Sequence, residues 1–545
     1  MIKYRGNPWV VLIVVSLGFF MTLLDLTIVN IAIPNMIAKL HASLDGVLWV
    51  INAYALVLAV LLITAGRLGD LRGQRKLFII GVALFTVASA ACGFSPTVGW
   101  LIGFRAVQGI GAALLMPQTL AILTMVFPPE RRGAAFGIWG AVAGVATIAG
   151  PTLGGLLVTA FDWRYIFFIN VPIGLAVIAL GVLMIPDLRT GTEHKLDVAG
   201  VVLASVALLA ICYGLVEGQK YNWGKITSII SIPLVIGVGV VFLAVFLFVQ
   251  ARTQAQEPLV PFAMFRDRNF SLMNWMSGAI AIGMMGIFLP LTIYLQSALG
   301  FSALKAGLAM SPASLVSMFV APVAGRLTDR IGGKFILFIG ILLFAGGMGW
   351  LAAIASPLST WPDFLAPLAV AGFGMGCTFA PMTTTAMRSV QPRLAGAASG
   401  MINTTRQVGA VIGTAAIGAL LQNRLTVALP AAAQARDRVL PPQARSQFLA
   451  GFTKAAQSGA AVGQGGGHIK LPPGTPPSVI ATIGRIAREA FSFGYVTAMH
   501  QTMIMPIAVL GVAALSCLAI KRVVTDARPA PTQDAPQPEA SQAPA

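Results

Sequence analysis

The chain has 545 residues, of which 57% are apolar and 10% are charged, whereas an ordinary soluble domain carries about 25% charged residues. Together with a mean hydropathy of +0.84, this composition excludes a soluble globular enzyme and a disordered protein. The formal net charge of +18 would indicate nucleic-acid binding in a soluble protein. In a polytopic membrane protein the same excess follows from topology. The positions of the charges must therefore distinguish between these two explanations.

Apolar runs of about 20 residues, the length that crosses a bilayer, recur along most of the chain. They predict an all-α membrane protein with fourteen transmembrane spans. In chain order the spans lie near 9–33, 47–66, 77–95, 98–121, 133–157, 165–185, 197–217, 228–250, 270–296, 303–325, 335–355, 364–386, 395–421 and 496–520. The four cysteines all lie in apolar runs without C-x-x-C spacing, which indicates neither a disulfide framework nor a metal site.

Basic residues are divided unequally between the two sides of the predicted membrane. If the N-terminus is inside, the inner segments hold 21 Lys and Arg and the short outer loops hold five. Positive charge accumulates in cytoplasmic loops, so both termini are predicted to be cytoplasmic. The charge excess therefore reports orientation, and we expect no nucleic-acid partner.

Two segments have compositions that do not favour spans. The outer segment at about 422–495 is rich in Ala, Gly, Gln and Pro and is expected to be partly disordered, with an interfacial helix near 478–493. The tail at 523–545 is expected to be a disordered cytoplasmic segment.

An internal repeat divides the chain. GRLGDLRGQRK at 66–76 follows the second span, and GRLTDRIGGK at 325–334 follows the tenth. Both lie on the inner face if two six-span halves flank two extra spans, and such repeats are characteristic of secondary transporters. We predict a first half at 1–190, two additional spans with linkers at 191–265 and a second half at 266–522.

The repeated loop resembles the signature of the major facilitator superfamily. The segment 24–34 is similar to the first-span motif of fourteen-span drug:proton antiporters of the EmrB/QacA type, and 163–172 and 403–409 resemble the same family. The resemblance implies the major facilitator fold in a bacterial plasma (inner) membrane. It also implies proton-driven export of hydrophobic or cationic small molecules by alternating access, hence multidrug efflux and antibiotic resistance. The alternative is an exporter of one endogenous product, such as a lipid or a secreted metabolite.

Asp25 is the acidic residue that falls well inside a predicted span, and Arg105 also lies at membrane depth. At about 1.5 Å per residue their depths nearly coincide, so the two side chains are expected to meet. The segment 105–111 is similar to a superfamily motif associated with proton coupling. We therefore expect Asp25 and Arg105 to couple transport to protons, with Asp25 pairing or competing with a cationic drug. An ion pair that only holds the bundle together is the alternative.

The resemblance also assigns two further groups. An inner gate is expected, in which basic side chains clamp the acidic residues of the repeated loops; its residues are Arg67, Asp70, Arg72, Arg75, Arg326, Asp329 and Arg330. The fifth span matches the antiporter motif of exporters, although small-residue packing explains the same glycines; the residues are Gly140, Gly144, Gly150, Pro151, Gly154 and Gly155.

A substrate cavity is expected between the halves. Its candidate residues are Met21, Asn30, Gln108, Gln118, Gln296, Met375, Met382, Asn403 and Arg406. For the methionines, core packing is the alternative; for Arg406, gating or contact with an anion stands beside a helix–helix polar contact. The expected partners are a drug-like small molecule, protons and the lipid bilayer. We expect a monomer with no cofactor and no metal, and the sequence leaves a periplasmic adaptor open.

Overall fold

The computed structural model describes residues 6–42, 44–187, 196–254, 258–388, 390–436, 442–458 and 477–521. These residues form helices joined by short turns and contain no β-strand, apart from one isolated bridge between Lys225 and Ser231. The tail predicted to be disordered lies outside the described residues.

The helices follow the predicted order of spans. The first half contains α1 (Pro8–Leu40), α2 (Leu44–Arg72), α3 (Gln74–Gly93), α4 (Val98–Val126), α5 (Arg132–Ala160) and a span made of α6 (Tyr165–Phe168) and α7 (Asn170–Met184). Two additional helices follow, α8 (Val198–Glu217) and α9 (Ile232–Arg252). The second half contains α10 (Arg268–Ile293), α11 (Ala303–Ile331), α12 (Lys334–Ile354), α13 (Leu365–Met387), α14 (Ala395–Gln434) and α16 (Pro477–Cys517), with α15 (Pro442–Ser458) before the last.

Thirteen helices of the described chain are long and apolar enough to cross a membrane. The remaining predicted span corresponds to α5, whose 29 residues extend about 43 Å at 1.5 Å per residue. The all-α architecture is therefore confirmed, and the helix lengths are consistent with fourteen spans.

Side-chain caps define where several helices begin. Asn7 accepts the backbone N–H of Trp9 at 3.0 Å at the start of α1, and Asp267 accepts that of Phe270 at 2.8 Å at the start of α10. Short polar side chains at these positions satisfy amides that have no partner within the helix. The sequence thus marks the helix starts locally, while the apolar faces determine the packing.

The two additional helices pack where the two halves meet. Ala59 of α2, Leu208 of α8 and Val408 of α14 belong to one apolar cluster, so α8 contacts both halves. Asp197 caps Gly200 at 2.8 Å and accepts from the buried Gln250 of α9 at 2.5 Å. These bonds tie the start of α8 to the end of α9 and hold the pair together as one unit.

The outer segment differs from the sequence expectation, because most of its described part is helical. α14 continues to Gln434, and the residues expected to form an interfacial helix are instead the beginning of α16. Leu421, Leu425 and Leu429 recur every four residues and are buried, in the same core as Phe448 and Ile486. A leucine row of this kind gives a helical hairpin its apolar face. The Ala-rich composition therefore did not predict the helices of the described part of this segment.

Candidate transport site and gate

Asp25 and Arg105 form an ion pair inside the first half. Both side chains are 0% exposed. The second carboxylate oxygen of Asp25 accepts from Gln108 Nε2 at 3.0 Å and from Asn170 Nδ2 at 3.3 Å. Ser89 on α3 accepts from the same amide of Asn170 at 3.1 Å. The carboxylate is therefore held by side chains from α4 and α7.

The guanidinium of Arg105 also has several partners besides Asp25. It donates to Gln108 Oε1 at 2.8 Å and to the carbonyl of Val50 at 3.0 Å, and it stands 4.3 Å from the centroid of the Tyr54 ring. All these groups belong to the first half. In this state a cationic substrate has no access to Asp25, contrary to the expectation of direct pairing, and Gln108 belongs to this cluster and not to a cavity wall.

The acidic residues of the repeated loops bind backbone amides of the opposite half. Asp70 on α2 accepts the N–H groups of Gly396 and Ala397, both at 2.7 Å, at the start of α14. Asp329 on α11 accepts those of Gly133 and Ala134, at 2.8 and 3.0 Å, at the start of α5. The first turn of a helix offers free N–H groups and a partial positive charge, so each carboxylate closes one contact between the halves. We call this side of the molecule the motif end.

The predicted clamp of basic side chains on these carboxylates needs correction. Arg72, Arg326 and Arg330 are exposed, and Arg75 donates to the carbonyl of Val182 at 2.5 Å. Arg67 is buried beside Asp70 and adds favourable charge. Backbone amides of the opposite half are thus direct partners of both acidic residues, because each helix start donates two hydrogen bonds. Asp70 also accepts from Gln74 Nε2 of its own half at 3.1 Å.

Paired glycines permit this close approach. A side-chain carbon at Gly66 would collide with the carbonyl of Gly396, and one at Gly325 with the carbonyl of Gly133. The two contacts are equivalent, because Gly66 and Gly325 occupy the same position in the two copies of the repeated loop. Glycine is required at these positions because two backbones touch there.

A second repeat in the sequence marks the backbone amides of this gate, and the sequence-based prediction of the gate did not include it. Pro-x-x-x-Gly-Ala-Ala-x-Gly occurs at 129–137 and again at 392–400. Both copies contain a short 3-10 turn followed by the start of a long helix. Their amides are the ones that meet the acidic residues of the GRLGD and GRLTD loops.

The candidate cavity residues separate into two groups. Asn30 and Gln296 are exposed, and Met375 and Arg406 are partly exposed. The others are buried; they are Met21, Gln108, Gln118, Met382 and Asn403. Gln118 donates to the carbonyl of Ala65 at 2.8 Å and so joins α4 to α2 instead of lining a cavity.

Comparison with known proteins identifies the family. The family model described as Major Facilitator Superfamily matches residues 15–414. The chain belongs to this superfamily. It is therefore a transporter and not an enzyme, as the resemblance implied.

Relatives in the superfamily include drug exporters. The chain is 37% identical over 432 residues to the tetracenomycin C resistance and export protein of Streptomyces glaucescens, covering 78% of each chain. It is 32% identical over 423 residues to the multidrug export protein EmrB of Escherichia coli (strain K12), covering 76% of this chain and 80% of that one. These similarities confirm the predicted resemblance to the EmrB group and support a drug exporter.

A solved structure supports the fold independently. The proton:xylose symporter XylE, bound to 6-bromo-6-deoxy-D-glucose, matches with a TM-score of 0.52 at 15% identity, over 76% of this chain and 88% of that one. The chain is thus a multi-pass membrane protein with the major facilitator fold.

The glycines of the predicted antiporter motif pack α5 on two sides. A side-chain carbon at Gly144 would approach the carbonyl of Ser314 on α11 to 2.9 Å, and one at Gly154 would approach Ile28 on α1 to the same distance. Gly150 packs against Thr27 and Gly140 faces Phe379, whereas Gly155 has open space. Pro151 lies in α5, but its side chain is outside the described part. The fifth span thus joins its own half to the other.

Proposed function

We propose that the protein is a proton-driven secondary exporter of hydrophobic, drug-like small molecules, a drug:proton antiporter that works by alternating access. The observation that carries this proposal is the buried Asp25–Arg105 pair within a transporter half. An ionisable residue at membrane depth is functional by default, since burying it is costly. The drug-export relatives support the substrate class.

Proton binding at Asp25 would change the balance of charge in the first half. Protonation neutralises the carboxylate and leaves Arg105 as a buried cation without its counter-ion, which is strongly unfavourable. The hydrogen bonds from Gln108 and Asn170 also weaken, because bonds to a charged acceptor are the stronger ones. The helices that meet at this cluster are α1, α2, α3, α4 and α7, so protonation favours their rearrangement.

Alternating access requires that one end opens as the other closes. At the motif end Asp70 and Asp329 hold the halves together in this state. We assign the motif end to the cytoplasm, because the loops there carry the positive charge that cytoplasmic loops accumulate. Both termini then lie in the cytoplasm, and the membrane is the bacterial inner membrane.

Substrate-induced proton release from the purified protein tests coupling directly. We expect a drug that binds the wild type to release protons, and Asp25→Asn to abolish the release while Asp162→Asn, in the turn between α5 and α6, retains it. Undiminished release from Asp25→Asn would contradict the assignment.

Dye extrusion by cells, measured with and without an uncoupler, tests the substrate range. Uncoupler-sensitive extrusion of several unrelated dyes would support multidrug export. Export of a single native compound would support the alternative, an exporter of one endogenous product.

A further inference from the structure

One face of α14 carries polar side chains and begins at a contact with the first half. Ser399, Asn403 and Arg406 recur at helical spacing and share this face. Ser399 donates to the carbonyl of Pro117 on α4 at 2.8 Å, which fixes the direction of the face toward the first half. Exposure rises along it away from the motif end: Ser399 and Asn403 are buried, Arg406 is partly exposed and Thr414 is exposed. The polar groups of this face therefore become more accessible with distance from the motif end.

Arg406 carries a charge near the middle of the membrane. It is the twelfth residue of α14 (Ala395–Gln434), about 16 Å from the helix start at 1.5 Å per residue. The hydrocarbon core is about 30 Å thick. The guanidinium thus lies far from either end of the span, at a depth where a charge requires a partner.

The partner that Arg406 has is neutral. Its Nη2 donates to Asn403 Oδ1 at 2.6 Å, and Asn403 Nδ2 donates to the carbonyl of Ser399 at 2.9 Å. No carboxylate of the described chain forms an ion pair with Arg406. The Arg406 side chain is partly exposed.

Arg105 provides the contrast within the same protein. Its charge is balanced by Asp25, and it is fully buried. Arg406 has the same charge without an acidic partner in the described part of the chain, donates to Asn403 and is partly exposed. A guanidinium presents a planar set of donors that matches a carboxylate or sulfonate in a bidentate manner.

We propose that Arg406 binds an anionic group of the exported molecule, a carboxylate or sulfonate on an apolar body, with Asn403 as the positioning residue. The proposal rests on the proposed function for the direction of transport. It changes the expected substrate class from cationic to acidic amphiphiles, because Asp25 is fully buried and already paired, whereas Arg406 is partly exposed and has a neutral partner.

Binding to the full-length protein in nanodiscs of zwitterionic lipid tests the proposal. The probes are a dansyl-labelled undecanoate and its uncharged methyl ester, with the signal of empty nanodiscs subtracted. We expect the wild type to bind the carboxylate about tenfold more tightly than the ester, and Arg406→Gln to reduce this ratio to about twofold or less. Arg406→Lys should recover part of the preference, because the charge returns without the bidentate geometry.

The matched control is Arg424→Gln, which removes an exposed arginine further along α14 and should keep the wild-type ratio. A wild type without preference for the carboxylate, an unchanged ratio in Arg406→Gln, or an equal loss of both probes overturns the proposal. Binding is measured without a proton gradient, so failure of proton coupling leaves this result intact. Conversely, proton-driven export of a neutral dye by a protein without carboxylate preference leaves the proposed function standing.

Discussion

The carboxylate of Asp70 accepts the backbone N–H of Gly396 at 2.7 Å and thereby joins α2 of one half to the start of α14 in the other. Asp329 forms the equivalent contact with Gly133 at 2.8 Å. Each acidic residue balances the partial positive charge of a helix start that belongs to the half it must hold. The motif end is therefore closed by two related contacts, and weakening either one should favour its opening.

Asp70→Asn should shift the protein toward states that are open at the motif end. The amide keeps one acceptor oxygen but loses the charge, and hydrogen bonds to a charged group contribute about 1.5–3 kcal/mol. The measurement is thiol labelling at Ser399→Cys, in a chain whose four buried cysteines are replaced by alanine.

We expect faster labelling in Asp70→Asn and in Asp329→Asn, and an unchanged rate in Asp162→Asn, away from the motif end. Transport should fall while substrate affinity is retained, because the change acts on the gate. Labelling as slow as in the parent chain would exclude a latch role for Asp70.

Gly66→Ala should also favour opening of the motif end, because it adds a side-chain carbon where the two halves touch. The added carbon meets the carbonyl of Gly396, and overpacking of this kind costs about 1–3 kcal/mol. Gly103→Ala on α4 is the matched control, since a carbon there has nothing within 4 Å and alanine favours a helix over glycine by up to about 1 kcal/mol. Thermal unfolding should therefore come earlier in the first variant and not in the second; equal midpoints would refute the close-packing role.

The sequence predicted more of the fold than of the contacts that operate it. Helix order, the repeat and the meeting of Asp25 with Arg105 follow from local hydropathy and depth along a helix. The partner of Asp70 does not, because Gly396 is 326 residues away and nearby arginines offered a simpler explanation. The enclosure of Asp25 depends on Asn170, which reaches it from 145 residues away in the sequence. Such contacts require tertiary structure, although the second repeat at 129–137 and 392–400 gave a usable signal.

Gln250→Leu should loosen the unit formed by α8 and α9. The buried amide donates to Asp197 at 2.5 Å and accepts the N–H of Val260 at 3.0 Å. Removing it leaves polar groups without partners, at about 1–3 kcal/mol each. Thermal stability of Gln250→Leu, Asp197→Ala and the double variant forms the test: the two effects should be strongly non-additive. Additive losses would mean that the two residues act separately.

Arg105→Gln and Asp25→Asn should each destabilise the first half by roughly 3–5 kcal/mol, because each leaves the other charge buried without its counter-ion. The double variant should lose less than the sum of the two, since two neutral groups can share the hydrogen bonds of Gln108 and Asn170. Stability alone, however, does not separate a proton carrier from a structural ion pair.

Proton release separates the two roles. If Asp25 carries the proton, the Asp25→Asn/Arg105→Gln variant should regain stability and still release no protons on binding substrate. A structural pair predicts the opposite, namely that release returns together with stability, because the carrier then lies elsewhere. Stability should return under either role, so proton release is the readout that distinguishes a proton carrier from a structural ion pair.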